Sequence, residues 1–413
     1  MTDKSCIGND ALACPSRQMD NERTVADWYA VLSLSIGVFA LVTAEFLPAS
    51  LLTPIAGDLG ITDGAAGQAV TATALIAAIA GPAVVIGAGK IDRRNVIWGL
   101  SLMLVASNLL AAISSNIWEL IAARVVLGIA LGGVWSLAAA LVLRLVPARL
   151  LSRAMMIIFT GVSAATVCAP ALGSYLGHLW GWRATFLAAA GIGILALIFQ
   201  LLSLPQLPPA MAPSFSAFSV LLRRPGIRIG LISVMFIISG HFAGFTYIRP
   251  FLEHVPQLDI RMISLVLLAF GIGGFFGNFA GGYMAERNAR LAVALSGMLL
   301  SAMAFALLAD GALPSIAFFA TAGWGFAFGA FPVSIQTWNT QAAPEHAETA
   351  GALLLTTFQI AIALGAGIGG LLMNNFGAPG AITYSALAVL IGGLAMLLLG
   401  RGTSKTLTSV GGE

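Results

Sequence analysis

The chain has 413 residues, 59% of them hydrophobic and only 9% charged, with a formal net charge of +3 and a mean hydropathy of +0.95. Water-soluble domains carry about 25% charged residues, so a soluble enzyme or binding module is excluded, and so small a positive excess gives no footing for nucleic acid. Residues 1–27 are polar and lack the apolar core of a signal peptide; they read as a cytoplasmic N-terminal tail.

Apolar runs then follow one another along the chain. A spanning helix needs about 20 apolar residues. Runs of that order fall near 30–54, 67–88, 96–114, 118–143, 154–177 and 185–204, and again near 229–252, 263–284, 291–309, 315–338, 349–373 and 380–400. They are long and unbroken by polar alternation, unlike the ~10-residue alternating strands of a membrane barrel. The expected architecture is an all-α membrane protein of twelve transmembrane helices. It has a six-helix half at 28–204, a proline-rich cytoplasmic linker at 205–228, a second six-helix half at 229–400 and a cytoplasmic tail at 401–413. The halves repeat: at an offset of 197, Gly128, Gly132, Pro147 and Gly173 meet Gly325, Gly329, Pro344 and Gly370. Parallel six-span repeats around a central site are a known transporter plan, related by a pseudo-twofold axis.

Basic residues set the orientation. With the N-terminus inside, 16 of the 20 Lys and Arg fall on the inner side, so the positive-inside rule puts both termini in the cytoplasm. Cys6 and Cys14 lie in the tail and Cys168 in a span, while His178, His241, His254 and His346 are scattered. No disulfide framework, metal site or cofactor is expected.

The first span carries the most telling side chain. Glu45 is the acid that lies deepest in an apolar run, and an ionisable group there faces a cavity or a partner. In the fourth span Arg124 lies at a similar depth, since the two helices run in opposite directions at 1.5 Å per residue. A pairing is geometrically possible. Its alternatives are a permanent structural ion pair and a proton-coupling site.

In the fifth span Gly161, Ala165, Ala169, Gly173 and Gly177 lie four apart, with Pro170 beside them. They form a smooth ridge along which a helix of the other half is expected to approach and slide. Gly273, Gly277 and Gly281 make a similar packing face in the eighth span.

The loops after the second and eighth spans read GAGKIDRRN and GGYMAERNAR. With the arginine of the fourth span, Arg124, four residues before Gly128, and the string APALGS (169–174) in the fifth, they resemble the signatures of the major facilitator superfamily and its drug:proton antiporter branch. The resemblance implies a cytoplasmic loop clamp at Asp92, Arg93, Arg94, Gly282, Glu286 and Arg287, although the acidic position of the first copy falls on Gly89. It implies a conformational role for the span-five ridge and proton coupling through Glu45 and Arg124. Plain positive-inside anchoring accounts equally for the loop arginines.

Within that branch EFLPASLLTPIAGDLGI, LGGVW, RLVP, FTYIRP and LVLLAFGI resemble the bacterial purine ribonucleoside exporters. This implies export of inosine, guanosine and purine analogues across the inner membrane by a monomer, with protons and the lipid bilayer as the other partners. A nucleoside pocket needs aromatic faces and amide or hydroxyl groups. Trp135, Ser136, Tyr247, Asn278, Trp324, Gln336 and Gln359 offer them. A multidrug or sugar exporter of the same scaffold, and a non-transporting receptor, stay open. No nucleophile, base and orienting group sit at usable spacing, so an enzyme is not expected.

Overall fold

The computed structural model describes residues 27–88, 91–147, 150–208, 220–343 and 347–400. The expected tails, apart from Asp27, and residues 209–219 of the linker, with Cys6, Cys14, Gly89 and His346, lie outside them. Helices make up the described chain: α1 (Trp28–Ser50), α2 (Leu52–Leu59), α3 (Asp63–Gly87), α4 (Arg93–Ile113), α5 (Ile117–Leu145), α6 (Leu151–Trp180) and α7 (Trp182–Ser203). After the linker come α8 (Pro225–Thr246), α9 (Ile248–His254), α10 (Ile260–Asp310), α11 (Pro314–Ala342) and α12 (Ala347–Leu399). Ten of them are long and apolar enough to cross a membrane.

Local chemistry sets the helix ends. Asp27, Asp92, Asn116 and Asp259 each accept a hydrogen bond from a first-turn N–H of the helix they precede, satisfying donors that have no intrahelical partner. At α5 the cap is reciprocal, because Glu119 reaches back to the N–H of Ser115 at 2.7 Å and to Asn116 Nδ2 at 2.7 Å. Gly60, at φ +63°, ends α2 in a left-handed turn that a residue with a Cβ enters at a cost.

Two of the expected spans stop early, for one reason. The runs 30–54 and 229–252 break at Leu51 (φ −109°, ψ 10°) and Tyr247 (φ −109°, ψ 17°). In each case a proline stands three residues further on. Pro54 has no N–H for the Ser50 carbonyl, and Pro250 has none for that of Thr246, so the i→i−4 ladder lapses. The short helices α2 and α9 then continue on new axes. Two other elements each run through what the sequence reads as two spans and are interrupted by a kink: α10 is 51 residues with a non-helical Asn288, and α12 is 53 residues with Gly377 at φ +67°.

Packing divides the helices into two groups. In the first, α3 lies on α5, α1 on α6 and α4 on α7; in the second, α10 lies on α11 and α8 on α12. Glycines allow the closest of these approaches. Gly277 and Gly281 of α10 lie directly on the backbone of Phe326 and Ala330 in α11, and Gly128 of α5 sits 2.6 Å from the Thr73 carbonyl by its ideal Cβ. The eighth-span glycine face is thus a backbone-to-backbone contact with α11. Outside, large apolar side chains such as Ile79, Leu202, Phe279, Phe319 and Leu371 are exposed. This inside-out surface suits hydrocarbon and is untenable in water. The protein is a multi-pass membrane protein.

The groups meet mainly through α3 with α12 and α6 with α10. The far end, away from Trp28 and Leu399, carries the polar part of the contact. The Arg249 guanidinium donates to the Ser50 carbonyl, the acceptor that Pro54 leaves unused. Arg249 Nε also donates to Glu253 at 2.8 Å, and Thr53 Oγ1 donates to the other Glu253 oxygen at 2.6 Å. The Tyr247 hydroxyl donates to the Ala366 carbonyl at 3.0 Å and lies 3.5 Å from that of Gly64. Within the first group at this end, Arg183 bonds Asp58 and the Ser114 carbonyl, and holds the Asp58 carboxyl below the usual carboxylate range.

Candidate functional site

Arg124 is fully buried in α5, and its partners explain why. Nη2 donates to the Ala44 carbonyl at 2.7 Å, Nε donates to Thr73 Oγ1 at 3.3 Å, and the guanidinium lies 5.7 Å from the Phe186 ring. The Ala44 carbonyl is available because Pro48, four residues on, has no N–H to give it. The side chain thus caps a gap in the α1 ladder one residue before Glu45. The third nitrogen, Nη1, has no partner among the described residues.

Glu45 itself is half-buried and makes no ion pair or hydrogen bond with any described residue. It lies within Coulombic reach of Arg124. The expected neighbourhood of the two residues is present, and the ion pair is not. Arg124 leans on the backbone beside the acid and keeps one donor in hand.

Pro48 can be tested directly. Pro48→Ala restores an N–H that competes for Ala44. On the proton-coupled transport that the family resemblance implies, we expect driven transport to fall about fivefold, the equivalent of ~1 kcal/mol for one displaced hydrogen bond, at unchanged protein level. An unaltered rate would show that Arg124 does not depend on that carbonyl.

The span-five ridge lies on a different neighbour from the one the sequence pointed to. Gly161 faces the Ser35 carbonyl, Gly173 faces Ser50 Oγ and Leu47, and Gly177 faces Leu51, all on α1 or at its end and thus in the same group. Ala165 and Ala169 are buried along the same helix. The ridge therefore seats α1 on α6. The other group is met by the Thr166–Val167 face one step around the helix, where Gly271 of α10 lies on the backbone of Val167. Pro170 leaves the Thr166 carbonyl without its intrahelical donor there.

At the near end Asp92 accepts from the N–H of Arg94 (2.8 Å) and of Leu207 (3.0 and 3.1 Å), while the Arg93 N–H donates to the Leu207 carbonyl. Asp92 and Arg93 thus fasten the chain that leaves α7. Arg94 lies over Trp98 at 4.6 Å. In the second copy Arg287 donates to the Tyr283 hydroxyl and covers its ring, Gly282 is spacious, and Glu286 has no partner among the described residues.

The residues suggested for a substrate divide. Trp324 and Tyr247 are wholly buried and bonded within the protein, and so serve packing in this state. Gln336 is exposed. Trp135, Ser136 and Asn278 are half-buried. Gln359 is buried with its Oε1 unpartnered.

The sequence reading passed over His241. It is fully buried, its ring parallel to Phe328 at 3.6 Å and stacked on Phe245 at 5.3 Å, and Phe242, Phe270 and Trp324 complete the surround. Phe46 of α1 closes it from the other group, edge-on to Phe245 at 5.9 Å. Arg249, Glu253 and Thr53 were likewise passed over.

A family model described as the Major Facilitator Superfamily matches residues 34–366 and 258–412. The chain belongs to the Major Facilitator Superfamily. Its superfamily relatives include the purine ribonucleoside efflux pump NepI of Salmonella enteritidis PT4, 39% identical over 370 residues, 90% of this chain and 93% of that protein. NepI of Salmonella paratyphi B is 40% identical over 371 residues, 90% and 92% of the two chains. Among solved superfamily folds, a bacterial homolog of the human lysosomal transporter Spinster matches in two inward-facing forms. The occupied form has a TM-score of 0.74 at 16% identity, over 91% of this chain and 97% of that one. The unoccupied form has a TM-score of 0.75 at 16% identity, over 93% and 98%.

Proposed function

We propose that this protein exports purine ribonucleosides such as inosine and guanosine, and purine analogues, across the bacterial inner membrane in exchange for protons. The likeness to the NepI pumps over nine-tenths of the chain carries this reading. In this reading the protein is a monomer with twelve spans and both termini in the cytoplasm. Two breaks support the count: α10 and α12 at ~1.5 Å per residue are each more than twice as long as a ~30 Å hydrocarbon core, and Asn288 and Gly377 divide them into pairs. The matched breaks at Leu51 and Tyr247 support halves at 28–204 and 229–400 related by a pseudo-twofold axis.

The far end is then the outer end, and its contacts describe a pump closed to the outside. Alternating access follows from parting those contacts while the near end closes. Glu45 is the proton carrier. A small rotation of α1 or of the guanidinium brings the carboxylate to Arg124 Nη1 in one state and leaves it apart in the other, so its proton affinity alternates with the cycle. A neutral, flat, hydrogen-bonding solute suits a lining of rings, amides and hydroxyls with one acid and one buried base. An anionic nucleotide calls for more cations than Arg124. In this reading the loop residues Asp92, Arg93, Arg94, Gly282, Glu286 and Arg287 hold the inner ends of neighbouring spans, and Gln359, Asn278, Trp135 and Ser136 are the candidates for substrate contact.

Inverted membrane vesicles provide the test. Acidifying the interior should drive uptake of labelled inosine and guanosine, and collapse of the gradient should stop it. Uptake of sugars or quaternary amines in place of nucleosides would leave the scaffold reading standing and remove the substrate assignment.

A further inference from the structure

The tautomer of His241 is decided by its partner. The indole Nε1–H of Trp324 points at His241 Nδ1 over 2.9 Å, and an indole nitrogen only donates. Nδ1 must therefore accept, and the imidazole is neutral with its proton on Nε2. That Nε2–H is buried and has no acceptor among the described residues. An orphaned buried donor is costly, ~1–3 kcal/mol. A phenylalanine would fill an aromatic box without that cost.

The same box is suited to a cation. The faces of Phe328, Phe245 and Phe270 are stacked against the imidazole, and ring faces attract a positive charge most when water is absent. What refuses a second proton is the indole: an N–H on Nδ1 meets the Trp324 N–H head-on. No charged group intervenes. α11 carries no Asp, Glu, Lys or Arg. On α10, Arg261, Glu286, Arg287, Arg290 and Asp310 stand well away from Phe270 along the helix. From α12 the titratable neighbour is Tyr384, whose hydroxyl is shared with Ser239. On α8 and α9, Arg228 is near the inner end, and Arg249 is bonded to Glu253 and Ser50. α1 brings Glu45, adjacent to Phe46.

We propose that His241 is a second proton-binding site of the transport cycle, occupied when the outer side opens and emptied when it closes. Parting of the halves withdraws Phe46 from Phe242 and Phe245 and lets the His241–Trp324 contact relax. A proton from outside water then bonds to Nδ1, giving an imidazolium held among the rings. Re-forming the Trp324 hydrogen bond requires the N–H bond at Nδ1 to break, with the proton leaving to water as the pump turns inward. Because the closed form binds one proton fewer at this site, acid favours the outer-open form and alkali the closed one. This rests on the proton-coupled reading, but its test does not need transport.

Spin labels on cysteines at Ser115 and Ser315, both exposed at the outer end, report separation of the halves once Cys6, Cys14 and Cys168 are replaced by serine. In purified protein in lipid nanodiscs, acidification from about pH 8 to about pH 5.5, which brackets the unperturbed histidine range, should increase the long-distance population. In a Glu45→Gln background, which removes the other site whose proton affinity alternates with the cycle, His241→Phe and His241→Gln should both abolish this response. Trp324→Phe should keep it and move its midpoint to higher pH. Glu45→Gln and Glu253→Gln should retain it. A Glu45→Gln protein without the response, or a folded variant lacking both Glu45 and His241 that keeps it, overturns the proposal. Loss of gradient-driven uptake in wild-type vesicles would instead sink the coupling reading, and the distance measurement would still decide His241.

Discussion

Glu45→Gln is expected to lose gradient-driven uptake entirely, down to the level of vesicles whose gradient has been collapsed, while substrate exchange across a level gradient survives. The amide keeps the size and the hydrogen-bonding capacity of a protonated carboxyl, but it neither releases nor takes a proton. Nothing in the packing depends on the acid, which has no ion pair or hydrogen bond among the described residues. The variant should therefore insert and fold like the wild type. Arg124 behaves differently. Its guanidinium holds the Ala44 carbonyl and Thr73, so Arg124→Leu strips acceptors buried inside the first half and should cost folding as well as transport. Measuring exchange beside driven uptake separates the two cases. Driven uptake by Glu45→Gln at the wild-type rate would remove Glu45 from the coupling.

Most of the architecture was legible because the bilayer leaves few options. Every backbone group in hydrocarbon must bond within its own segment, so an apolar run of spanning length is a helix. The spacing of Gly273, Gly277 and Gly281 showed a close packing face on the eighth span, and the structure identifies its neighbour as α11. Proline was harder to weigh. The runs through Pro54 and Pro250 read as continuous by hydropathy, and the breaks at Leu51 and Tyr247 come from two missing N–H groups that hydropathy does not register. The signal was present in the spacing, four residues from Ser50 to Pro54 and from Ala44 to Pro48. The freed carbonyls of Ser50 and Ala44 are taken by arginines from elsewhere in the chain, Arg249 and Arg124. Pairing of those arginines with acids is what charge alone suggests, and only Arg249 has one, in Glu253. His241 stayed hidden because a histidine in a phenylalanine-rich span is indistinguishable from core filling until its free nitrogen is located in space.

The span-five ridge shows what spacing leaves open. A stripe of small residues states that something approaches closely, without saying which neighbour. Here it is α1, and α6 meets the other group through its Thr166–Val167 face, where Gly271 lies, instead. The two positions should respond differently to enlargement. At Gly173 an added Cβ meets the Ser50 hydroxyl and, at 2.9 Å, the Leu47 methyl. Those are side-chain ends that turn aside, so Gly173→Ala should be tolerated and Gly173→Leu should lower stability in detergent more than turnover. At Gly271 the added atom falls on the Cα of Val167, with the Thr166 carbonyl at 3.1 Å. Backbone does not rotate away, and overpacking of this kind typically costs about 1–3 kcal/mol. That strain falls on the contact between the two groups of helices, which the proposed alternating-access cycle moves against each other. We therefore expect Gly271→Leu to insert normally and to lose transport by about tenfold or more, the equivalent of ~1.4 kcal/mol on the limiting step. Gly271→Ala should fall between this variant and wild type. Equal transport by Gly271→Leu and wild type would mean that α6 and α10 part during the cycle far enough for the contact to be immaterial.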